Sequence, residues 1–135
     1  MNRLALDTSA AVPLLLRRHP DHDAVRTAVA DAEICLTAHS QAETYSVLTR
    51  LPGDSRVAPL DAVTLVSTGF KRPLHLDLAT ASDLPSILAA HEVAGGAVYD
   101  AIVGLATVGT TFTLLTRDRR AAATYAALDV LFRFV

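Results

Sequence analysis

Apolar residues fall into short uninterrupted runs, separated by longer stretches in which they recur every three or four positions. That pattern predicts strands alternating with helices. Leu4-Ala5-Leu6 has no polar interruption, as a strand buried on both faces requires, and Ser9 is placed to cap a helix from Ala10 to Leu16 that stops before His19-Pro20. Asp21 or Asp23 can open a second helix through Val25 and Val29. Ile34–Leu36 reads as a strand, and Ser40 opens a helix carrying Glu43, Val47 and Leu48 until Pro52-Gly53 breaks it. Pro59-Leu60-Asp61 starts a further helix through Val66, ended by the turn residues from Gly69 to Pro73. The alternation in Leu74–Leu78 fits a short strand or a bare loop. Ser82-Asp83-Leu84-Pro85 reads as the first turn of a helix to His91, with Gly95-Gly96 as its stop. Tyr99–Ala106 is a largely apolar helix with Asp100 in its first turn, and its Gly and Ala positions permit close packing. Strand Phe112–Leu115, helix Arg119–Leu128 and strand Val130–Phe134 complete the chain. Strands alternating with helices in this way predict an α/β fold, a parallel sheet with helices on both faces.

Such a sheet brings its strand C-ends and the following helix N-ends to one edge, and acids stand at those positions. Asp7 follows the first strand and Asp118 the Phe112–Leu115 strand, while Glu43 and Asp100 lie in early helical turns. Four carboxylates gathered in one crevice repel one another unless a cation neutralises them. Oxygen ligands of this kind suit Mg²⁺ or Mn²⁺, and one or two such ions activate water and stabilise the leaving oxygen of a phosphodiester. Ser9 and Thr116 would add hydroxyls to the same place. Taken singly, each acid has an ordinary explanation: Asp7 and Asp118 as helix caps, Glu43 as a solvated helix residue, Asp100 as a first-turn acid.

Composition narrows the classes of function. The 135 residues predict one domain, residues 1–135, able to bury a core without staples. Charged residues are 19% against roughly 25% in ordinary soluble domains, and hydrophobic ones 51%, a surplus that suggests a partner surface. The net charge of −2 gives no general attraction to nucleic acid, so RNA binding needs local features. Arg117, Arg119 and Arg120 beside Asp118 form one candidate patch, with Arg17-Arg18 and Lys71-Arg72 as smaller pairs; Tyr45, Tyr99 and Tyr125 are the candidates for base stacking. Cys35, the single cysteine, sits in an apolar run as a core residue, and the histidines show no zinc-type spacing. His39, four residues before Glu43, reads as a loop or cap residue. No apolar stretch reaches the roughly 18 to 20 residues that span a bilayer, and Asp7 interrupts any secretory signal, which predicts a cytoplasmic protein.

Leu6-Asp7-Thr8-Ser9-Ala10, the lone Glu43 after the second strand, Asp100-Ala101-Ile102 opening a helix and Leu115-Thr116-Arg117-Asp118 closing a strand follow one another in an order and spacing that is fairly specific. With these motifs the chain resembles, over essentially its whole length, PIN-domain proteins of the VapC toxin type, small metal-dependent ribonucleases of bacterial toxin–antitoxin systems. The resemblance implies a three-layer α/β/α sandwich around a mainly parallel sheet. It implies Asp7, Glu43, Asp100 and Asp118 as acids binding Mg²⁺ or Mn²⁺, with Ser9 and Thr116 as supporting hydroxyls. It further implies an RNA substrate, a homodimer and inhibition by a cognate antitoxin, for which Ala10–Leu16, Val25–Val29, Val47 and Leu48 form an expected part of the groove.

Two other classes share some of these features. Aspartate-nucleophile phosphatases and phospho-receiver domains also place an Asp after the first strand beside Mg²⁺. However, the phosphatase pattern asks for an acid where Ser9 stands, and both use a lysine at the phosphate, whereas Lys71 lies in a turn. A PIN-fold binding protein that has lost catalysis is the third reading, against which all four acids stand.

Overall fold

A computed structural model of the chain describes Asn2–Val135. The first apolar run becomes β1 (Asn2–Leu6), followed by α1 (Thr8–Leu15) and α2 (His22–Val29). Next come β2 (Ala32–Thr37), α3 (Ala38–Thr49), a 3₁₀ turn at Gly53–Ser55, α4 (Pro59–Gly69) and β3 (Lys71–Leu74). The remaining elements are α5 (Leu78–Ser82), α6 (Leu84–Ala90), α7 (Ala97–Leu105), β4 (Thr113–Thr116), α8 (Arg119–Ala127) and β5 (Phe132–Phe134). The strands form one sheet in the order β3-β2-β1-β4-β5, and every pairing is parallel. The chain therefore runs outward from β1 through β2 to β3, then crosses back to place β4 on the other side of β1. That reversal leaves a crevice beyond the C-ends of β1 and β4, the place where open α/β sheets take ligands.

Period-two alternation along the central strands sends side chains to both faces, each of which is covered. Ala5, Cys35 and Leu114 pack with Ala101, Val103 and Tyr125 on one face. Leu4, Leu6, Leu36 and Leu115 pack with Ala10, Ala11 and Val25 on the other. The result is an α/β/α sandwich whose middle layer is apolar on both sides. Cys35 is fully buried in it, and burial pushes its thiol up to about 12.

Three local expectations change. The third strand is Lys71–Leu74, inside the expected turn, and Leu74–Leu78 does not continue it; Asp77 instead caps α5, its Oδ1 accepting from Thr80 N at 2.7 Å. The cap of α1 is Asp7 rather than Ser9. The cap of α3 is Thr37, with Ser40 three residues on completing a reciprocal capping box. Ser40 Oγ also donates to the Leu6 carbonyl at 3.0 Å, tying the start of α3 to the end of β1. Of the expected partner groove, Ala10, Ala11, Val25, Val29 and Leu48 are buried in the core, while Val12, Leu14, Leu15, Leu16 and Val47 stay partly exposed. A separate open apolar cleft of about 540 Å³ lies between α3, α4 and β3, lined by Tyr45, Val63, Val66 and Phe70 among others.

Candidate active site at the C-terminal edge of the sheet

The crevice beyond β1 and β4 collects the acids. Asp7, Glu43, Asp100 and Asp118 together line one cavity of about 110 Å³, with Thr8, Ser9, Val103 and Tyr125. Each acid arrives on a different element: Asp7 directly after β1, Glu43 on the second turn of α3, Asp100 in the first turn of α7, and Asp118 two residues after β4. The larger apolar cleft shares no residue with this cavity, and the charged groups in its lining are the cations Lys71 and Arg72, with no carboxylate. The acid cavity is therefore the candidate site for metal-assisted chemistry.

Asp7 is 5% exposed, so its carboxylate needs partners. Its Oδ1 accepts from Ser9 Oγ at 2.5 Å and from Ala10 N at 3.3 Å, and its Oδ2 accepts from the Tyr125 hydroxyl at 2.9 Å. Burial nevertheless holds its pKa above the usual carboxylate value, outweighing the hydrogen bonds that pull it down. Ser9 Oγ also accepts from Arg117 N at 2.8 Å and lies 3.3 Å from Thr116 Oγ1. Thr116 Oγ1 accepts from Asp118 N at 3.1 Å. The two hydroxyls expected as supports thus lace the β1–α1 turn to the β4–α8 turn, and so fix Asp7 relative to Asp118. Asp118 caps α8, its Oδ1 accepting from Arg120 N at 2.9 Å and Ala121 N at 3.4 Å. Capping is therefore real at Asp7 and Asp118, and it aims both carboxyl groups at the crevice.

Glu43 is held by two groups from different directions. Its Oε1 accepts from Thr8 Oγ1 at 3.4 Å and lies 3.4 Å from His39 Nε2. Asp100 is pushed up to about 6, first by burial and then by the charges of Asp118, Asp7 and Glu43, with His39 opposing. Behind burial, the three neighbouring carboxylates all push in the same direction, as crowded negative charge does. Among the described residues no three His, Cys, Asp or Glu side chains are already closed into a ligand cluster; the acids face one cavity without forming a finished cage. The donor set is all carboxylate and hydroxyl oxygen, with no thiolate or imidazole inside the cavity. It fits a hard divalent cation that keeps part of its water shell, as Mg²⁺ does. The volume is ample, since a single water needs about 10–15 Å³ of comparable space.

Two of the three clustered arginines are engaged, and Arg120 is exposed. Arg117 Nη1 makes a 2.9 Å ion pair with Asp21, and the Arg119 guanidinium lies 5.0 Å from the centre of the Phe134 ring. Tyr125 is fully buried and stacks on no base. Its place in the site was missed because α8 repeats apolar residues at Ala121, Ala122, Tyr125 and Leu128, which reads as a core stripe. The signal was the phenol itself, since a buried Tyr hydroxyl requires a partner and Tyr125 lies two turns beyond Asp118 on the same helix. His39 is neither loop nor cap: it sits in the first turn of α3, against Glu43.

Comparison with known proteins places this geometry in a family. The PIN domain family model matches residues 4–127. The chain is 51% identical over 127 residues to Ribonuclease VapC27 of Mycobacterium tuberculosis, a match covering 94% of this chain and 93% of that one. It is 41% identical over 128 residues to Ribonuclease VapC40 of the same organism, covering 94% and 95%. Among solved structures, VapBC2 from Rickettsia felis bound to a DNA fragment from its promoter aligns with a TM-score of 0.66 at 11% identity, over 98% of each chain. FitAB bound to the IR36 DNA fragment aligns with a TM-score of 0.66 at 20% identity, over 97% of this chain and 94% of that one. At those identities the structural likeness carries the fold alone.

Proposed function

Because the chain belongs to the PIN-domain family, among the VapC ribonucleases, we propose that it is a divalent-metal-dependent endoribonuclease, the toxin of a toxin–antitoxin pair. The observation that carries this reading is the convergence of Asp7, Glu43, Asp100 and Asp118, from four separate elements, on one cavity at the sheet's switch point. We take residues 1–135 to act as one nuclease domain.

Asp7, Glu43, Asp100 and Asp118 would hold Mg²⁺ or Mn²⁺. When bound, the ion activates water and neutralises charge on the phosphodiester. The protein's own part is positional. Tyr125 and Ser9 each occupy a different oxygen of Asp7, which locks the carboxyl plane. Thr8 and His39 hold Glu43 on the opposite wall. Ser9 and Thr116 keep the two Asp-bearing turns in register. RNA phosphate then enters a site whose acids need not reorganise, which is where electrostatic catalysis draws its advantage.

An aspartyl-phosphate mechanism would want a lysine at the phosphate; Lys71, the single lysine, lines the apolar cleft instead. The names of the VapBC and VapC relatives support an antitoxin partner and an RNA substrate for this chain. The exposed Val63 and Tyr45 at the apolar cleft supply contact surface for an antitoxin or a second copy in a homodimer. No helix among the described residues is long and apolar enough to cross a membrane, in keeping with action on RNA in the cytoplasm.

The test is cleavage of structured RNAs by the purified chain with Mg²⁺ or Mn²⁺, with EDTA, and after Asp100→Asn. Cleavage is expected only with metal and intact Asp100. Undiminished cleavage in EDTA or by the variant overturns the reading.

A further inference from the structure

Beside the acid cavity His39, which braces Glu43, also belongs to an aromatic pair whose other member, Tyr99, has no part in holding the acids. Tyr99, the residue before Asp100, is 55% exposed. His39 stacks on it with ring centroids 5.6 Å apart and 14° between the planes. The same imidazole places Nε2 3.4 Å from Glu43 Oε1. The stack is therefore indexed to the cavity at both ends, through Glu43 on α3 and through the backbone step to Asp100 on α7. His39 covers one face of the phenol, and the rest of the ring remains open to solvent.

The charge distribution gives this pair a use. The chain is net negative, Arg117 is bound to Asp21 and Arg119 lies over Phe134. Of the arginines beside the acids, the exposed Arg120 is left to meet a phosphate backbone, one charge against four carboxylates. A base, unlike a phosphate, can be held next to four carboxylates without charge, by stacking on an aromatic face.

Resting on the ribonuclease reading, we infer that the His39–Tyr99 pair is a base-stacking platform. The nucleotide beside the scissile phosphate lays its base on the open face of Tyr99, with His39 backing the ring. Stacking tolerates any base but requires it to be out of a duplex, so the platform selects single-stranded or looped RNA and positions it. Tyr99 is a positioning residue here, outside the reacting atoms.

The chain contains no tryptophan, so Tyr99→Trp installs a single reporter on the platform. In EDTA at low salt, a single-stranded RNA 12-mer of mixed sequence should quench it, whereas an abasic ribose-phosphate 12-mer of equal charge should not. Equal quenching by both, or none despite binding seen by anisotropy, overturns the platform. Kinetics supply the second arm, on whichever RNA the wild type cuts. Tyr99→Ala should raise KM about 5- to 150-fold, the span for losing one stacked base, and Tyr99→Phe should restore it. A fall in kcat instead, together with loss of the Mg²⁺-induced rise in melting temperature, shows a mere prop for Glu43 and overturns the proposal. Base-dependent quenching in Tyr99→Trp, with a wild type that cuts no RNA, upholds the platform while removing the nuclease reading, so the two fail separately.

Discussion

Asp7 is both a helix cap and a wall of the acid cavity, and substitution separates the two roles. Asn keeps one oxygen for Ser9 and Ala10, and its amide can donate to the Tyr125 oxygen. It also removes a charge that burial disfavours. Asp7→Asn is therefore expected to leave the metal-free protein as stable as before, or slightly more so, by thermal denaturation in EDTA. A variant that unfolds would make Asp7 structural. The acids were legible because each stands at a strand end or in an early helical turn; Tyr125 was not, because a phenol within an apolar stripe looks like core until its hydroxyl partner is known. The same crowding sets a pH dependence. Asp100, at about 6, is raised above the ordinary carboxylate value of 3.8, so the folded state binds its proton more tightly than the unfolded state. Its contribution to stability is full below about pH 4 and is lost as pH rises through about 6. In EDTA the melting temperature at pH 5 should exceed that at pH 7.5 by more in the wild type than in Asp100→Asn. An equal difference in both removes Asp100 as the source.

At the scale of elements, the contact of α7 with α8 decides where Tyr125 can sit. A Cβ added at Gly104 would lie 2.9 Å from Tyr125 Cδ1 and 3.1 Å from Val130 Cγ2. Gly104→Ala gains about 1 kcal/mol of helix propensity. Against that, overpacking costs about 1–3 kcal/mol. The upper part of that range applies here, because the ring is fully buried and its hydroxyl is committed to Asp7 at 2.9 Å. The net expectation is a loss of about 1–2 kcal/mol, read from the urea midpoint at unchanged slope; a gain would show that α7 and α8 can part freely. Close approach of this helix was legible in its Gly and Ala positions, although its neighbour was not. The third strand was illegible for a different reason. Lys71-Arg72-Pro73-Leu74 has neither alternation nor an apolar run, because an edge strand pairs on one side only and tolerates charge and proline there. Its register against Cys35 and Thr37 is a property of the assembled sheet.

For the whole molecule, the cost of the site is the mutual repulsion of acids brought together by folding. No pair of neighbouring residues reveals it, since Asp7 and Asp118 are 111 positions apart in the chain (118 − 7) and meet only because β4 returns beside β1. A divalent cation that binds the folded chain and not the unfolded one converts that repulsion into stability by mass action. At one hundred times the dissociation constant the gain is about 2.7 kcal/mol. Unfolding entropy of about 2.1 cal/mol/K per residue, over 135 residues, gives about 0.28 kcal/mol/K, so the melting temperature should rise by about 10 °C. Calorimetry with Mg²⁺, and with Mn²⁺ as the alternative ion, measures this directly. Asp7→Asn should abolish most of the rise, because it removes charge from the cavity while leaving the network around Ser9 and Tyr125 in place. Gly104→Ala should lower the baseline yet keep the rise. If Mg²⁺ stabilises wild type and Asp7→Asn equally, the ion is binding elsewhere, and the convergence of four carboxylates is a product of helix capping alone.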